Sequence, residues 1–223
     1  MQEVAFVIPC LNEERTIGKV IERCKSAGKF FSSFEIIVVD NGSIDDSIKI
    51  SKNLGARVVI EKVKGYGSAL KRGIKEAKAN YIIMGDADDT YDFLDSVAMI
   101  DTLRNDNCDL IIGNRLEGNI EKGAMPVLHK YLGNPILSFI GRLLFLIDIK
   151  DFHCGLRAFK RESIMNLNLR CSGMEFASEM IIRASLGEYK IKQTPVKLKV
   201  GIEGRKPHLR TWRDGWRHLK FMF

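Results

Sequence analysis

The chain has 223 residues, of which 45% are hydrophobic and 28% are charged, and its formal net charge is +7. This length allows one large domain or two small ones, and the composition is that of a globular protein without a low-complexity linker. The positive charge favours an anionic partner such as a nucleotide, a nucleic acid or an acidic lipid surface.

The N-terminus and the cysteines argue against a secreted protein, a zinc protein and a disulfide-stabilised fold. Met1-Gln2-Glu3 has no basic residue, and the apolar run at 4–8 is too short for the core of a signal peptide. The five cysteines are widely spaced and form no Cys-x-x-Cys pair, so neither a zinc site nor a disulfide framework is predicted. Reduced thiols in a cytoplasm account for them.

Strands and helices alternate along the first 115 residues. Apolar runs predict strands at 4–9, 34–40, 57–61, 81–84 and 109–113, and helical periodicity predicts helices at 13–27, 45–54, 66–78 and 92–104. Such alternation favours parallel strand pairing with right-handed crossovers. We therefore predict an α/β fold with a doubly wound, mostly parallel sheet, helices on both faces, and a capacity to bind a nucleotide.

Three aspartates, Asp86, Asp88 and Asp89, follow the strand at 81–84. The carboxyl ends of parallel strands form the ligand crevice of an open α/β sheet. Mg²⁺ and Mn²⁺ prefer oxygen ligands and are usually held by one or two carboxylates together with substrate phosphates. The pattern predicts a metal that clamps a diphosphate, and the alternative is a solvated acidic loop that caps the helix starting near Asp92.

Two other strand ends lie on the same predicted edge. The first strand ends in Pro9-Cys-Leu-Asn12-Glu13, and the second ends at Asp40. A carboxylate after the second strand is where nucleotide-binding sheets often contact ribose or base. The alternative for Asp40 is an Asx turn with Gly42.

Gly65 and Gly67 open the third helix, where backbone amides could approach a phosphate. They do not form a dinucleotide fingerprint, because they do not follow the first strand and Leu70 occupies the third glycine position. A hydride-transferring enzyme is therefore not expected.

The second half contains two amphipathic or apolar segments. An apolar helix predicted at 136–149 is too short to span a bilayer, which leaves core packing or an interfacial position. At 211–223 a predicted helix carries Trp212, Trp216, Leu219 and Phe223 on one face and Arg213, Arg217 and Lys220 on the next. This helix suits a membrane interface, and the alternative is packing of its aromatic stripe on the core. A strand at about 190–200 closes the fold.

Taken together, the motifs resemble those of inverting family 2 glycosyltransferases of the GT-A fold over about residues 4–200. The branch that they resemble includes dolichyl-phosphate mannose synthases and polyprenyl-phosphate glucosyltransferases. The motifs, in chain order, are Pro9-Cys-Leu-Asn-Glu13, Val39-Asp-Asn-Gly-Ser43, Gly65-Tyr-Gly-Ser-Ala69, Gly85-Asp-Ala-Asp88 and Gly113-Asn-Arg115. The resemblance implies a catalytic domain at 1–210, with a nucleotide-sugar half at 1–115 and an acceptor half at 116–210. The membrane-proximal helix at 211–223 follows, and transmembrane helices could come after it, as they often do in related bacterial chains.

For the donor, the resemblance implies contacts with the nucleotide and its phosphates from Pro9, Asn12, Glu13, Asp40, Gly65, Asp86 and Asp88. Asp86 and Asp88 would be the ligands of Mg²⁺ or Mn²⁺, and Asp88 would also be catalytic. Thr90 stands where many mannose synthases have a glutamine, so a third metal ligand is not assigned.

For the acceptor, the resemblance implies a phosphate contact from Arg115 and two residues beside the transferred sugar, Asp151 and Arg157. Glu179 matches the inward glutamate of a family helix. Arg205 is the expected phosphate-facing cation where the chain departs from the usual Gly-x-Ser-Lys motif. His153 and Cys154 are expected to be a structural pair rather than a nucleophile and base.

The implied reaction moves a hexose from a UDP- or GDP-sugar to a polyprenyl phosphate by direct displacement, at the cytoplasmic face of a membrane. A lipid phosphate is already an anion at pH 7, so it needs no general base, whereas a sugar hydroxyl would need one and Asp151 is the candidate. Two alternatives stay open: a hydroxyl acceptor in polysaccharide synthesis, and a non-catalytic basic nucleotide- or membrane-binding module. No nucleic-acid partner is expected, because the sheet edge is acidic, and a homo-oligomer is left open.

Overall fold

The structure, a computed structural model, describes residues 2–125, 133–204 and 211–222. Its strands are β1 (Gln2–Cys10), β2 (Phe34–Asp40), β3 (Arg57–Ile60), β4 (Ala79–Met84), β5 (Leu110–Asn114), β6 (Arg157–Lys160) and β7 (Ile191–Pro195). Its helices are α1 (Ile17–Gly28), α2 (Ser47–Asn53), α3 (Tyr66–Glu76), α4 (Asp95–Asn105), α5 (Asn134–Phe145), α6 (Arg161–Asn166), α7 (Phe176–Leu186) and α8 (Thr211–Met222).

The seven strands form one sheet in the order β3-β2-β1-β4-β6-β5-β7. All pairings are parallel except those of β6, which runs antiparallel to both β4 and β5. Helices cover a sheet whose central strands are buried, and β1 is fully buried from Val4 to Ile8. The predicted α/β fold with a mostly parallel sheet is confirmed.

β6 is a strand that the sequence analysis did not predict. It is four residues long and begins and ends with a basic residue, so its sequence lacks the apolar run of a buried strand. Its partners β4 and β5 lie far away in the sequence, and it fills the space between them. Strands from both predicted halves, 1–115 and 116–210, are therefore interleaved in a single sheet.

Several predicted boundaries shift by a few residues. α1 begins at Ile17 rather than at 13, because the backbone and hydroxyl of Thr16 both bond the carbonyl of Glu13 in a turn. α5 ends at Phe145 rather than at 149, because the next residue, Leu146, adopts a left-handed φ of 52°. The closing strand β7 covers only Ile191–Pro195 of the predicted 190–200.

The topology brings the loops of interest to one edge. Cys10 lies opposite Asp40 in the β1–β2 register, and Met84 lies opposite Val7, so these strands end at the same side. Because β6 is antiparallel and Arg157 pairs with Met84, the segment that precedes β6 lies at this edge too. The aspartate turn after β4 and the loop 151–156 are thereby neighbours.

α8 packs on the domain through side chains outside the aromatic stripe that the sequence analysis assigned to a membrane interface. Its buried side chains are Asp214, His218 and Met222, whereas Trp216 is 68% exposed. Phe223 and the side chain of Trp212 lie outside what the structure describes. Of the helices described, none combines the length and apolar character needed to cross a bilayer.

Candidate active site

The ends of β1 and β2 are tied together by side-chain bonds to backbone amides. The carboxylate of Asp40 is buried and accepts the amides of Gly42 at 2.9 Å and Ser43 at 3.2 Å, which is the Asx turn considered as an alternative. The side-chain oxygen of Asn12, a residue at φ 54°, accepts the backbone amide of Ile44 at 2.8 Å, and the backbone amide of Asn12 donates to Ser43 Oγ at 2.9 Å. The two predicted nucleotide residues are therefore brought together, and their loops hold each other.

Pro9 and Glu13 lie on the same side. Pro9 is half-buried and pairs with Val39 across the β1–β2 ladder. Glu13 is buried; its carboxylate accepts the hydroxyl of Thr16 at 3.1 Å, and its amide donates to Ser47 Oγ at 2.8 Å. All four residues predicted to contact the nucleotide base or ribose thus lie at one end of the first two strands.

Asn41 is a residue of this edge that the sequence analysis did not single out. Its amide nitrogen donates to the carbonyls of Glu61 and Val63, both at 2.9 Å, and its oxygen accepts the amide of Gly65 at 2.7 Å. Lys64 Nζ donates to the Asn41 carbonyl at 2.7 Å and occupies the space beside the Cα of Gly42. The structure thereby adds a lysine to the Asp40 turn, because Asn41 holds the loop that carries it.

Gly65 is needed for chain packing. Its φ is 136°, and a Cβ there would overlap the carbonyl of Ser172. A Cβ on Gly67 would lie 2.6 Å from the carbonyl of Cys171. The 171–173 segment therefore packs closely against the start of α3. This close packing explains why glycine occupies positions 65 and 67. The predicted contact between Gly65 and the donor stays a prediction.

The aspartate turn after β4 orients its three carboxylates differently. Asp86 accepts the hydroxyl of Tyr66 at 2.8 Å, and Asp88 accepts the hydroxyl of Thr90 at 2.6 Å. Asp89, at φ 62°, pairs with Arg23 of α1. Arg23 therefore neutralises the third acid, and the two aspartates of the predicted metal pair are each oriented by a hydroxyl donor.

Asp86 is also confined from the side of the loop 151–156. A Cβ on Gly155 would overlap the Asp86 carboxylate, so a larger residue would have to displace this carboxylate. The Gly155 amide donates to the hydroxyl of Tyr91 at 3.0 Å. Burial, and then the charge of Asp86, raise the pKa of Tyr66 well above its ordinary value, so this phenol stays protonated and donates to Asp86.

The donor set of this turn suits a hard divalent cation. Two carboxylates on one strand end are the usual protein share of a Mg²⁺ or Mn²⁺ site whose other ligands are substrate phosphates and water. Within the described part of the chain, no cluster of three or more His, Cys, Asp or Glu side chains is arranged to hold a metal by itself. The residues fit a metal that is completed by a diphosphate.

Arg115 and Asp151 form a buried, bidentate ion pair. Arg115 Nε and Nη2 each donate to a different carboxylate oxygen at 2.7 Å, and the Arg115 amide adds a bond at 3.1 Å. Burial alone would raise the pKa of Asp151, but the guanidinium outweighs it, so this pKa lies below its ordinary value. Asp151 is therefore a charged carboxylate with both oxygens held by Arg115, which makes it a poor proton acceptor.

Two residues predicted to bind the acceptor lie inside the protein. Arg157 is 0% exposed and donates to the carbonyls of Phe152, Cys154 and Ala177 at 2.8 to 3.0 Å. Glu179 is 0% exposed too. Its carboxylate accepts the amides of residues 170 and 171 and pairs with the guanidinium of residue 183. The structure places both side chains as braces of nearby backbone rather than at the surface of the site, and Arg205 lies outside the described residues.

Cys154 is buried, and the ring nitrogens of the half-buried His153 are buried too. Burial raises the pKa of Cys154 to about 12, so its thiol stays protonated and is a poor nucleophile. Burial lowers the pKa of His153 well below its ordinary value, and neither ring nitrogen has a hydrogen-bond partner among the residues described. The contacts agree with the expected structural pair, and the His153 ring lies 4.6 Å from the ring of His218 in α8.

Sequence comparison identifies the class of this domain. Residues 5–167 match the model of glycosyl transferase family 2, so the chain belongs to that family. The family match confirms the predicted enzyme class, a glycosyltransferase, for this domain.

Two archaeal relatives are informative. The chain is 37% identical over 219 residues to the low-salt glycan biosynthesis hexosyltransferase Agl6 of Haloferax volcanii, covering 98% of this chain and 52% of that protein. The chain thus spans about half the length of this relative. It is 31% identical to a UDP-N-acetylglucosamine–dolichyl-phosphate N-acetylglucosaminyltransferase of Methanococcus voltae, covering 87% of this chain and 84% of that protein.

Solved structures show the same fold. Glucosyl-3-phosphoglycerate synthase from Mycobacterium tuberculosis, in complex with phosphoglyceric acid, superposes with a TM-score of 0.77 at 22% identity over 99% of this chain and 79% of that one. The same enzyme in complex with Mn²⁺, UDP and phosphoglyceric acid gives a TM-score of 0.72 at 23% identity, over 92% of this chain and 72% of that one. The sheet is therefore of the GT-A type.

Proposed function

We propose that this chain transfers a hexose from a nucleoside diphosphate sugar, UDP- or GDP-linked, to a polyprenyl phosphate by direct displacement at the anomeric carbon. The observation that carries this proposal is the Arg115–Asp151 pair. Asp151 was the candidate base for a hydroxyl acceptor, and both its carboxylate oxygens are held by a buried guanidinium. An acceptor that is already an anion needs no such base.

The donor side is built from the loops after β1, β2 and β4. The Asp40 turn and Asn12 would receive the base and ribose, as carboxylates after the second strand do in nucleotide-binding sheets. Asp86 and Asp88 would hold Mg²⁺ or Mn²⁺ through oxygens, and the bound ion would neutralise charge on the departing diphosphate. Tyr66 and Thr90 orient these two carboxylates through their hydroxyls.

Relatives support the donor and acceptor classes. The Methanococcus voltae relative is a UDP-N-acetylglucosamine–dolichyl-phosphate transferase, and a 29% identical Haloferax volcanii relative is a dolichyl-phosphate hexose transferase. The related fold of the Mycobacterium enzyme has been solved with Mn²⁺ and UDP-glucose. The donor and acceptor classes of these proteins are extended to this chain as part of the proposal.

An apolar surface on α5 and α8 supports a membrane-bound acceptor. The exposed residues of α5 and its end recur at helical spacing, with Phe139 60%, Leu143 66% and Leu146 92% exposed. α5 packs against α8, whose Trp216 is 68% exposed and whose Arg213 and Lys220 are exposed as well. Apolar and aromatic side chains beside basic ones are typical of helices that lie in a membrane interface. We therefore place this surface on the cytoplasmic leaflet.

Calorimetry of UDP and GDP binding tests the donor half of the proposal. We expect one of the two nucleotides to bind in the presence of Mn²⁺ and to lose affinity with EDTA. Asp88→Asn should weaken metal-dependent binding by more than about tenfold, since even outer partners of metal sites cost that much. Asp101→Asn, which makes the same change on the exposed side of α4, should bind as the wild type does. Equal, EDTA-insensitive binding in Asp88→Asn would contradict the metal site.

A further inference from the structure

The face of α8 that packs on the domain makes polar contacts as well as burying Met222. Arg217 Nη2 bonds Glu175 Oε1 at 2.6 Å, and His218 Nδ1 bonds Ser178 Oγ at 2.8 Å. The His218 ring also meets the His153 ring edge-on at a centroid distance of 4.6 Å. In addition to its packing on α5, α8 makes directional contacts with two segments, the start of α7 and the loop 151–156.

The first segment leads to Asp86 through α3. Glu175 Oε1, the atom that Arg217 contacts, also accepts the amide of Gly173 at 3.1 Å. The neighbouring carbonyl of residue 172 accepts the amide of residue 68 at 3.2 Å and fills the space at Gly65. The next residue is Tyr66, whose hydroxyl donates to Asp86 at 2.8 Å. Each step is a bond or a close packing contact.

The second segment leads to the same carboxylate by a shorter path. His153 lies two residues before Gly155, whose Cα faces the Asp86 carboxylate so closely that a Cβ would displace it. The Gly155 amide is fixed by the Tyr91 hydroxyl at 3.0 Å. A shift of the loop at His153 would therefore move Gly155 against Asp86. Both paths from α8 end on the first aspartate of the metal pair.

We propose that α8 positions Asp86, so that docking of this helix sets the affinity of the site for a metal-bound nucleoside diphosphate. Arg217 and His218 are then positioning residues, because they act through Glu175, Ser178 and His153 and do not touch the donor. This inference rests on the proposed function, since it concerns the same donor site. By reciprocity, binding of the nucleotide and metal tightens the docking of α8.

Two arginines of α8 provide a matched test. Arg217→Gln removes the docked guanidinium, and Arg213→Gln makes the same change one turn earlier on the exposed side. We expect Arg217→Gln to weaken Mn²⁺-dependent binding of UDP or GDP by about fivefold or more, the scale of coupling between distinct sites, and Arg213→Gln to leave it unchanged. Equal affinity in both variants would overturn the inference. If Arg217→Gln fails to fold, Ser178→Ala, which removes the bond to His218, should weaken nucleotide binding in the same comparison with Arg213→Gln.

A double-mutant cycle separates positioning from general destabilisation. If α8 acts through the Tyr66–Asp86 bond, Tyr66→Phe and Arg217→Gln should weaken nucleotide binding by less together than the product of their separate effects. Hydrogen exchange in the wild type should slow across α8 when Mn²⁺ and the nucleotide are added. Multiplicative losses with unchanged exchange would contradict the proposal. A wild type that binds neither nucleotide would instead refute the proposed function, and the inference with it.

Discussion

Replacing Asp151 by asparagine should lower the stability of the folded protein, because Asp151 is the partner of a buried arginine rather than a general base. Asp151 is 1% exposed, and its two oxygens accept two side-chain bonds and one backbone bond from Arg115 at 2.7 to 3.1 Å. In Asp151→Asn an amide NH₂ must face guanidinium nitrogens that also donate. The substitution leaves a buried guanidinium without its counter-charge, so the pair changes from satisfied to unsatisfied.

The expected loss is large for a chain of this size. Breaking one partner of a buried ion pair costs about 3 to 5 kcal/mol, a substantial part of the roughly 5 to 15 kcal/mol that stabilises a typical domain. At about 2 to 4 °C per kcal/mol for a protein of this length, the melting temperature should fall by at least about 6 °C. Asp151→Asn combined with Arg115→Met should recover part of the loss, because no unpaired charge remains.

Urea denaturation and thermal melting at pH 7.5 measure this directly. Asp101→Asn is the matched control, since Asp101 pairs with Arg104 on the surface and its loss should cost less than about 1 kcal/mol. A general base would behave in another way. If Asp151→Asn keeps wild-type stability and abolishes transfer at every pH, Asp151 acts on a proton of the acceptor and our assignment of the ion pair is wrong.

Three further predictions concern the donor site, the docked helix and the outer surface. Gly155→Ala should lower Mn²⁺-dependent nucleotide affinity, measured by calorimetry, by about tenfold, because its Cβ would displace Asp86. Gly215→Ala is the control and should leave this affinity unchanged, because its Cβ meets no neighbour within 4 Å. Burial lowers the pKa of His218 to about 4 in the folded protein. As the pH falls below 6.5, His218 is therefore protonated in the unfolded chain and stays neutral in the folded one. The free energy of unfolding in urea should therefore fall between pH 6.5 and 4, by up to about 3 kcal/mol from this residue, and less in His218→Gln; a flat profile in the wild type would contradict this. Trp216→Ala should reduce sedimentation with anionic vesicles, and equal pelleting of variant and wild type would refute the membrane surface.

The sequence is sufficient to predict the first half of the sheet. Runs such as Val4–Ile8 are apolar throughout because parallel strands are covered on both faces, and this pattern can be read without knowing any partner. The positions of Asp40 and Asp86 at one edge follow from the same parallel topology. β6 could not be found in this way, because only its pairing with the distant strands β4 and β5 makes residues 157–160 a strand.

The contacts that the sequence does not predict in the second half of the chain have a common physical cause. Periodicity identified the helix at the C-terminus and its aromatic stripe, but it could not show which side chains of the helix pack on the domain. The surface that contacts α8 includes Glu175 and Ser178, so Arg217 and His218 pack there while Trp216 is exposed. In the same way, Arg115 and Asp151 were assigned separate roles, because their pairing depends on a contact between residues 36 apart in the sequence.

Transfer to a lipid phosphate is the most direct test of the central claim. Purified protein, Mn²⁺ and labelled UDP- or GDP-hexoses would be incubated with polyprenyl phosphate or, as the matched acceptor, with the corresponding polyprenol. We predict label in the organic phase with the phosphate alone, its loss with Asp88→Asn, and a product that mild acid cleaves to the free hexose. Transfer to the polyprenol or to a soluble sugar, with none to the lipid phosphate, would contradict the account.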